Sequence, residues 1–253
     1  MEKRTAFITG ATSGIGKATA VVLAKNGYNV IITGRRQEAL NDLEKEITGK
    51  YNTKVLALPL DVRDKQAVKN TISSLPTEWE RIDVLVNNAG LAVGLEHIQD
   101  GELDDWERMI DTNIKGILYV TRAIAPLMID DGHGHIVNIG SIAGKEVYEN
   151  GGVYCATKHA VDALTKSMRI DMVKHNIKVT QICPGLVETE FSLVRFKGDE
   201  ERAKNPYKGL DPLTANDIAG VINYVLSLPP HVCINDLIVT PTAQAGSHYV
   251  NRK

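Results

Sequence analysis

Seven short apolar runs recur along the 253-residue chain, each separated from the next by a longer segment of helical period. They read TAFIT from residue 5, NVIIT from 29, KVLALPL from 54, IDVLVNNAG from 82, HIVNIGS from 135, IKVTQICPG from 177 and NDLIVTP from 235. Near-continuous apolarity, rather than strict alternation, is what a strand needs when helices cover both faces of its sheet. Between the second and third runs, RQEALNDLEKEI sets Ala39, Leu40, Leu43 and Ile47 on one helical face and Glu38, Asp42, Glu44 and Lys45 outward. This order, kept along the whole chain, predicts a single doubly wound α/β domain over residues 1–253 with a parallel sheet and right-handed crossovers. One segment breaks the rhythm: EFSLVRFKGDEERAKNPYKGLDP, within about 190–213, is an extra polar insertion. At the carboxyl edge of such a sheet it reads either as a substrate lid or as a solvated loop.

Composition narrows the function classes. A net charge of -2 and no basic run longer than Arg35-Arg36 disfavour a nucleic-acid surface. Cys155, Cys183 and Cys233 are far apart and form no CxxC pair, which predicts reduced thiols in a cytoplasm, no disulfide framework and no metal site. No apolar stretch reaches the length of a membrane span, and MEKRTAFITG leads straight into a strand with no secretory h-region.

The first run ends in GATSGIG, which places Gly10, Gly14 and Gly16 between a strand and an amphipathic helix. A turn this tight needs residues without a Cβ, so that backbone can approach a pyrophosphate while the first amides of the helix supply donors and positive dipole. Thr12, Ser13 and Ile15 complete the cradle. At the end of the second run, where an NAD site would carry an acid for the ribose 2′-hydroxyl, the chain has Arg35 and Arg36. Two guanidinium groups suit a 2′-phosphate, and cations at a helix N-terminus oppose its dipole unless an anion joins them. The reading is NADP, with plain solvated charge as the alternative.

In VYCATKHA, Tyr154 and Lys158 stand four residues apart and share one helix face. A phenol is a poor base at neutral pH, and a neighbouring ammonium favours its phenolate. Such a tyrosine meets the need of reversible alcohol oxidation for a group that takes the hydroxyl proton as hydride leaves. Ser141 follows the fifth run and would emerge at the same sheet edge as the glycine turn, whereas Asn113 sits within a helix, where an amide needs a local hydrogen bond.

TGATSGIG, LDV at 60–62, NNAG at 87–90, Asn113, Ser141, YCATK and PGLVET at 184–189 follow one another in an order that resembles the short-chain dehydrogenase/reductase family over residues 5 to about 240. The resemblance implies a Rossmann-type sheet of about seven strands and usually dimers or tetramers, here a homotetramer joined through the helices beginning near Leu103 and Tyr154. It implies that Tyr154 is the acid/base, that Ser141 donates to the substrate oxygen, that Lys158 binds the nicotinamide ribose and depresses the tyrosine pKa, and that Asn113 holds a relay water. Asp61 would bond the adenine amino group, with Val62 beside it. Asn87, Ala89 and Gly90 would lie along the cofactor, as would Pro184 and Gly185. Val187 and Thr189 would hold the carboxamide.

The carboxyl-terminal region SLPPHVCINDLIVTPTAQAG lacks the Asp-Gly-Gly ending of acyl-carrier-protein reductases and, with VRFKGD, is similar to the NADP-dependent 3-hydroxy acid dehydrogenase subgroup. That likeness implies small 3-hydroxy acids such as serine, allo-threonine or 3-hydroxybutyrate as substrates. Arg195 and Lys197 flank Phe196 in the insertion and present charge for a carboxylate, unless Arg195 pairs with Asp199 or Glu200. Glu146 and Tyr148 follow Ser141 closely enough to meet an ammonium or hydroxyl. A broad carbonyl or 3-oxoacyl reductase, and a non-catalytic NADP-sensing protein, stay open as alternatives.

Overall fold

The computed structural model describes residues 3–253. All seven apolar runs become strands of one parallel sheet, in the order β3 (Val55–Pro59), β2 (Asn29–Gly34), β1 (Thr5–Ile8), β4 (Val84–Asn87), β5 (Gly134–Ile139), β6 (Ile177–Pro184) and β9 (Asp236–Val239). A separate pair, β7 (Val187–Glu188) and β8 (Leu213–Thr214), clamps the two roots of the 190–213 segment.

Successive strand residues alternate between the two faces, as a pleated strand requires. Ala6 and Ile8 of β1 and Val30 and Ile32 of β2 pack with α1 (Gly14–Lys25), α2 (Gln37–Lys50) and α9 (Ala215–Ser227). Phe7, Ile31 and Leu85 face the other way, onto α3 (Lys65–Ser73), α5 (Gly116–Asp131) and α6 (Gly152–Met172). Each layer buries one face of the sheet, and that burial, at roughly 25 cal/mol per Å² of apolar surface, is what drives the fold.

β1 hydrogen-bonds β2 on one side and β4 on the other, so the winding reverses there and opens a crevice above the carboxyl ends of β1 and β4. Helix α4 (Leu103–Ile110) runs into α5 through a five-residue π-helical turn, Asp111–Lys115, closed by a bond from the Gly116 amide to the Asp111 carbonyl. Turns of this kind bulge a side chain out of helical register and occur mostly at functional sites. Here the turn carries Asn113.

The 190–213 segment is not a structureless loop. It folds as α7 (Glu190–Arg195), α8 (Glu200–Lys204) and a short 3-10 turn, Asn205–Tyr207. Among the described residues, no helix is long and apolar enough to cross a membrane, and no group of His, Cys, Asp or Glu could hold a metal ion.

Candidate active site

A cavity of about 610 Å³ runs along the crevice from Arg35 and Arg36, over the glycine turn, to Ser141, Tyr154 and Lys158, and ends beneath α7. The glycine turn is shaped for close approach. Gly10 has a φ of +65°, and a Cβ on Gly16 would lie 2.3 Å from the Gly10 carbonyl oxygen. Ser13, extended at the start of α1, makes no side-chain cap, so the first helical amides stay free for a ligand. Thr12, Ser13, Gly14 and Ile15 all line the cavity, whereas Gly16 lies behind them and serves the packing of the turn. Asn88 braces the turn by donating to the carbonyls of Thr9 (2.9 Å) and Gly10 (3.1 Å).

Here the structure corrects the sequence expectation for Asn87. It points away from the cavity and donates to Thr121 Oγ1 (3.0 Å) and Asn138 Oδ1 (2.9 Å) in the buried layer below. Asn88, one residue on and on the opposite face, lines the cavity with Ala89 and Gly90.

At the far end of the crevice, Arg35 makes no hydrogen bond among the described residues, and Arg36 reaches back to Thr12 Oγ1 through Nε (3.3 Å) and Nη2 (3.2 Å). Asp61 is gripped by Arg63, whose Nη2 lies 2.6 Å from Oδ2 and whose Nε lies 3.0 Å from each oxygen. Those bonds hold the Asp61 carboxyl below its usual range. Arg63, which the sequence reading passed over, thus makes a third cation at this end of the cavity.

At the other end, Tyr154 and Lys158 share the inner face of α6, and both are buried. Lys158 Nζ donates to the Ile139 carbonyl at 2.9 Å and lies 5.9 Å from the centre of the Tyr154 ring. Burial brings the Lys158 pKa down to about 8. Burial also raises that of Tyr154, with the Tyr148 phenol adding to the rise; hydrogen bonding with Ser141 and the Arg195 guanidinium act in the opposite direction. The expectation that Lys158 is what depresses the phenol is therefore corrected. Desolvation outweighs Ser141 and Arg195 together, and Lys158 is not among the groups that lower the phenol.

Ser141 stands in extended conformation at the end of β5, where its Oγ accepts the Ala143 amide at 3.1 Å and faces the cavity. Asn113 does not line the cavity. Its Oδ1 accepts the Leu91 amide (2.9 Å), and its Nδ2 donates to the Leu91 carbonyl (2.8 Å) and Thr157 Oγ1 (3.0 Å). A Cβ on Gly90 would lie 3.3 Å from Asn113 Oδ1 and 3.6 Å from Lys158 Nζ. The glycine is what lets the cavity wall pass so near the ammonium.

Arg195, from α7, lies over both aromatic rings, 5.3 Å from the centre of Tyr148 and 5.5 Å from that of Tyr154. Its Nη2 donates to the Tyr148 hydroxyl at 2.8 Å, and its buried Nε has no protein partner among the described residues. It pairs with neither Asp199 nor Glu200; Asp199 instead caps α8. Glu146 does not line the cavity: its Oε2 accepts from the amide (2.7 Å) and hydroxyl (2.5 Å) of Ser247, which stands at the cavity edge. Lys197 likewise turns away, to Asp105 at 2.7 Å. Pro184, Gly185, Val187 and Thr189 form the wall beneath α7. Gln244, another residue the sequence reading missed, holds that wall by accepting the Leu186 amide at 2.9 Å.

Residues 4–199 match the family model for short chain dehydrogenase. The chain belongs to the short-chain dehydrogenase family. Within the family, it is 44% identical over 254 residues to NADP-dependent 3-hydroxy acid dehydrogenase of Schizosaccharomyces pombe, covering 100% of this chain and 98% of that one. It is 45% identical over 244 residues to sulfoacetaldehyde reductase 2 of Chromohalobacter salexigens, covering 96% of each. A solved closed form of serine dehydrogenase complexed with NADP+ superposes with a TM-score of 0.93 at 44% identity, over 98% of this chain and 100% of that one.

Proposed function

We propose that this short-chain dehydrogenase is an NADP-dependent oxidoreductase that acts on the carbinol carbon of a small 3-hydroxy acid of the serine, allo-threonine or 3-hydroxybutyrate type. The observation that carries the reading is the convergence of Tyr154, Ser141 and Arg195 on one end of a cavity whose other end is basic. The residues fit a dinucleotide: the glycine turn leaves amides free that would bind phosphates, and Arg35 and Arg36 at the basic end would hold a 2′-phosphate. When bound, NADP supplies or takes up the hydride.

The chain's own groups do the rest. In reduction, the protonated Tyr154 gives its proton to the carbonyl oxygen, and in oxidation the phenolate takes it from the hydroxyl. Ser141 Oγ donates to that same oxygen and stabilises the charge developing there. Lys158 uses one N–H on Ile139, which leaves two that would bind the ribose hydroxyls of the cofactor. Asn113 fixes Leu91 and Thr157, and through them the wall around that ammonium. Arg195, which lines the cavity, anchors the substrate anion through its guanidinium two bonds from the reacting carbon.

Arg195 reads charge and fork geometry, so a sulfonate at the same spacing is a second candidate, and the sulfoacetaldehyde reductase relative supports it. The 190–213 segment serves as a lid on a single nucleotide-binding domain. The active form is a cytoplasmic homotetramer, which the exposed Leu103 and Ile110 of α4 and Leu118 of α5 support as contact surfaces.

The deciding experiment measures NADPH formation at alkaline pH with serine, allo-threonine, 3-hydroxybutyrate, 2-hydroxyethanesulfonate and 2-butanol. Turnover of the anionic alcohols and little of 2-butanol is expected. Equal turnover of 2-butanol would favour a broad carbonyl reductase, and tight NADP binding with no turnover at all would favour a sensor.

A further inference from the structure

One ion pair joins the two ends of the cavity through the lid. Arg36 Nη2 lies 2.9 Å from Glu190 Oε2, with each side chain about half exposed. Arg36 is the residue that precedes α2, and Glu190 is the first residue of α7, 154 positions later in the chain. The root of α7 is seated on the glycine turn: a Cβ on Gly14 would meet the Thr189 side chain at 3.4 Å, and Thr189 Oγ1 accepts the Phe191 amide at 3.2 Å. The other end of α7 is held by different contacts, from the Gly94 amide to the Arg195 carbonyl (3.0 Å) and from Lys197 to Asp105. Glu190 is therefore the charged tie between the lid and the adenosine end of the crevice.

We propose that Glu190 is a built-in placeholder for the 2′-phosphate on Arg36, displaced when NADP binds, so that occupation of the adenosine end loosens the root of the lid. The proposal rests on the NADP reading above. Arg36 has few other ways to meet its charge, since Thr12 offers only neutral oxygens. A phosphate dianion attracts the guanidinium more strongly than a carboxylate monoanion does, and the two anions repel each other across a few ångströms. Because the pair is solvent-facing, the competition is worth only a small factor in affinity. A small factor suits a latch that must release on every turnover. Nothing comparable happens with NAD, whose ribose hydroxyl carries no charge to challenge Glu190.

The test uses the intact chain and Glu190→Gln, an isosteric change at a half-exposed position. Titration calorimetry should show NADP binding tightened roughly two- to five-fold by the substitution, with NAD unchanged. A second readout uses 2′,5′-ADP, which fills the adenosine end without entering the nicotinamide end. By meeting α7 at Glu190 alone, it should speed tryptic cleavage after Lys197 or Arg202 in the wild type, where 5′-AMP does nothing. Glu190→Gln should already be cut at the faster rate and should ignore 2′,5′-ADP. An NADP preference that Arg36→Ala abolishes but Glu190→Gln leaves untouched overturns the latch while sparing the cofactor reading. A wild type with no preference for NADP over NAD overturns both.

Discussion

Lys158 and Tyr154 lie one helical turn apart on α6, with the ammonium 5.9 Å from the ring centre and both groups out of water. Neither keeps its ordinary acidity. The lysine is brought down to about 8, while the phenol is raised by the same desolvation. Two groups pushed toward their neutral forms are ready to exchange a proton with a substrate rather than with each other. A raised phenol is also a ready donor for the reductive direction.

Tyr154→Phe removes the proton carrier and leaves the shape of the cavity intact. Turnover should fall by about 10²–10⁴-fold, the usual worth of general acid–base catalysis, with cofactor affinity little changed. In the wild type, alcohol oxidation should accelerate as pH rises, because only the phenolate can accept the proton, and carbonyl reduction should slow. Initial rates in both directions across pH 6–10 check this; pH-independent oxidation would remove Tyr154 from the role.

Lys158 has a folded pKa of about 8, against 10.5 for a free side chain. Between those values the unfolded chain binds the extra proton, so stability contributed by this site rises with pH through the window and the penalty is largest below it. Lys158→Met should therefore be more stable than the wild type at pH 7, by about 1–3 kcal/mol, and the gap should close by pH 10. Urea midpoints at the two pH values measure it. The same variant should lose turnover, a direct conflict between stability and function.

Replacing Arg35 or Arg36 with Ala should weaken NADP binding by about 1.5–3 kcal/mol, the scale of a charge-assisted hydrogen bond, and leave NAD nearly unaffected. Equilibrium binding of both nucleotides checks it. Equal losses would mean that these arginines serve the fold, not the 2′-phosphate.

Arg195→Met keeps much of the packing over Tyr148 and Tyr154 and deletes the cation. KM for an anionic hydroxy acid should rise by roughly 10-fold or more, while activity on a neutral ketone is preserved or improved. Steady-state kinetics on serine and on 2-butanone separate the two outcomes.

Much of this was legible beforehand because it follows local rules. The seven apolar runs, the glycine spacing and the i, i+4 relation of Tyr154 to Lys158 all rest on periodicity and turn chemistry. The failures have physical causes too. Asn87 and Asn88 are neighbours on a pleat, and no motif states which of two adjacent amides faces the ligand; the strand's parity decides it. Glu146 was lost to a partner 101 residues away, Ser247, and Gln244 was overlooked for the same reason. The shift of the Tyr154 phenol was misjudged because burial cannot be read from a motif. Arg63 could have been found: an arginine two residues after Asp61 is a local pairing that LDVR displays openly.

The π-helical turn at Asp111–Lys115 makes α4 and α5 one rod with an extra residue wound into its middle. Deleting one of those five residues would relax the rod to ordinary winding, with the flanking helices kept in register but the bulged side chain withdrawn, whereas a deletion elsewhere in the rod would swing one side by about 100° relative to the other. Asn113 would then let go of Leu91, and the wall beside Gly90 would lose its brace. A scan of one-residue deletions along 103–131 should therefore find folded but inactive variants at 111–115 and misfolded ones on either side.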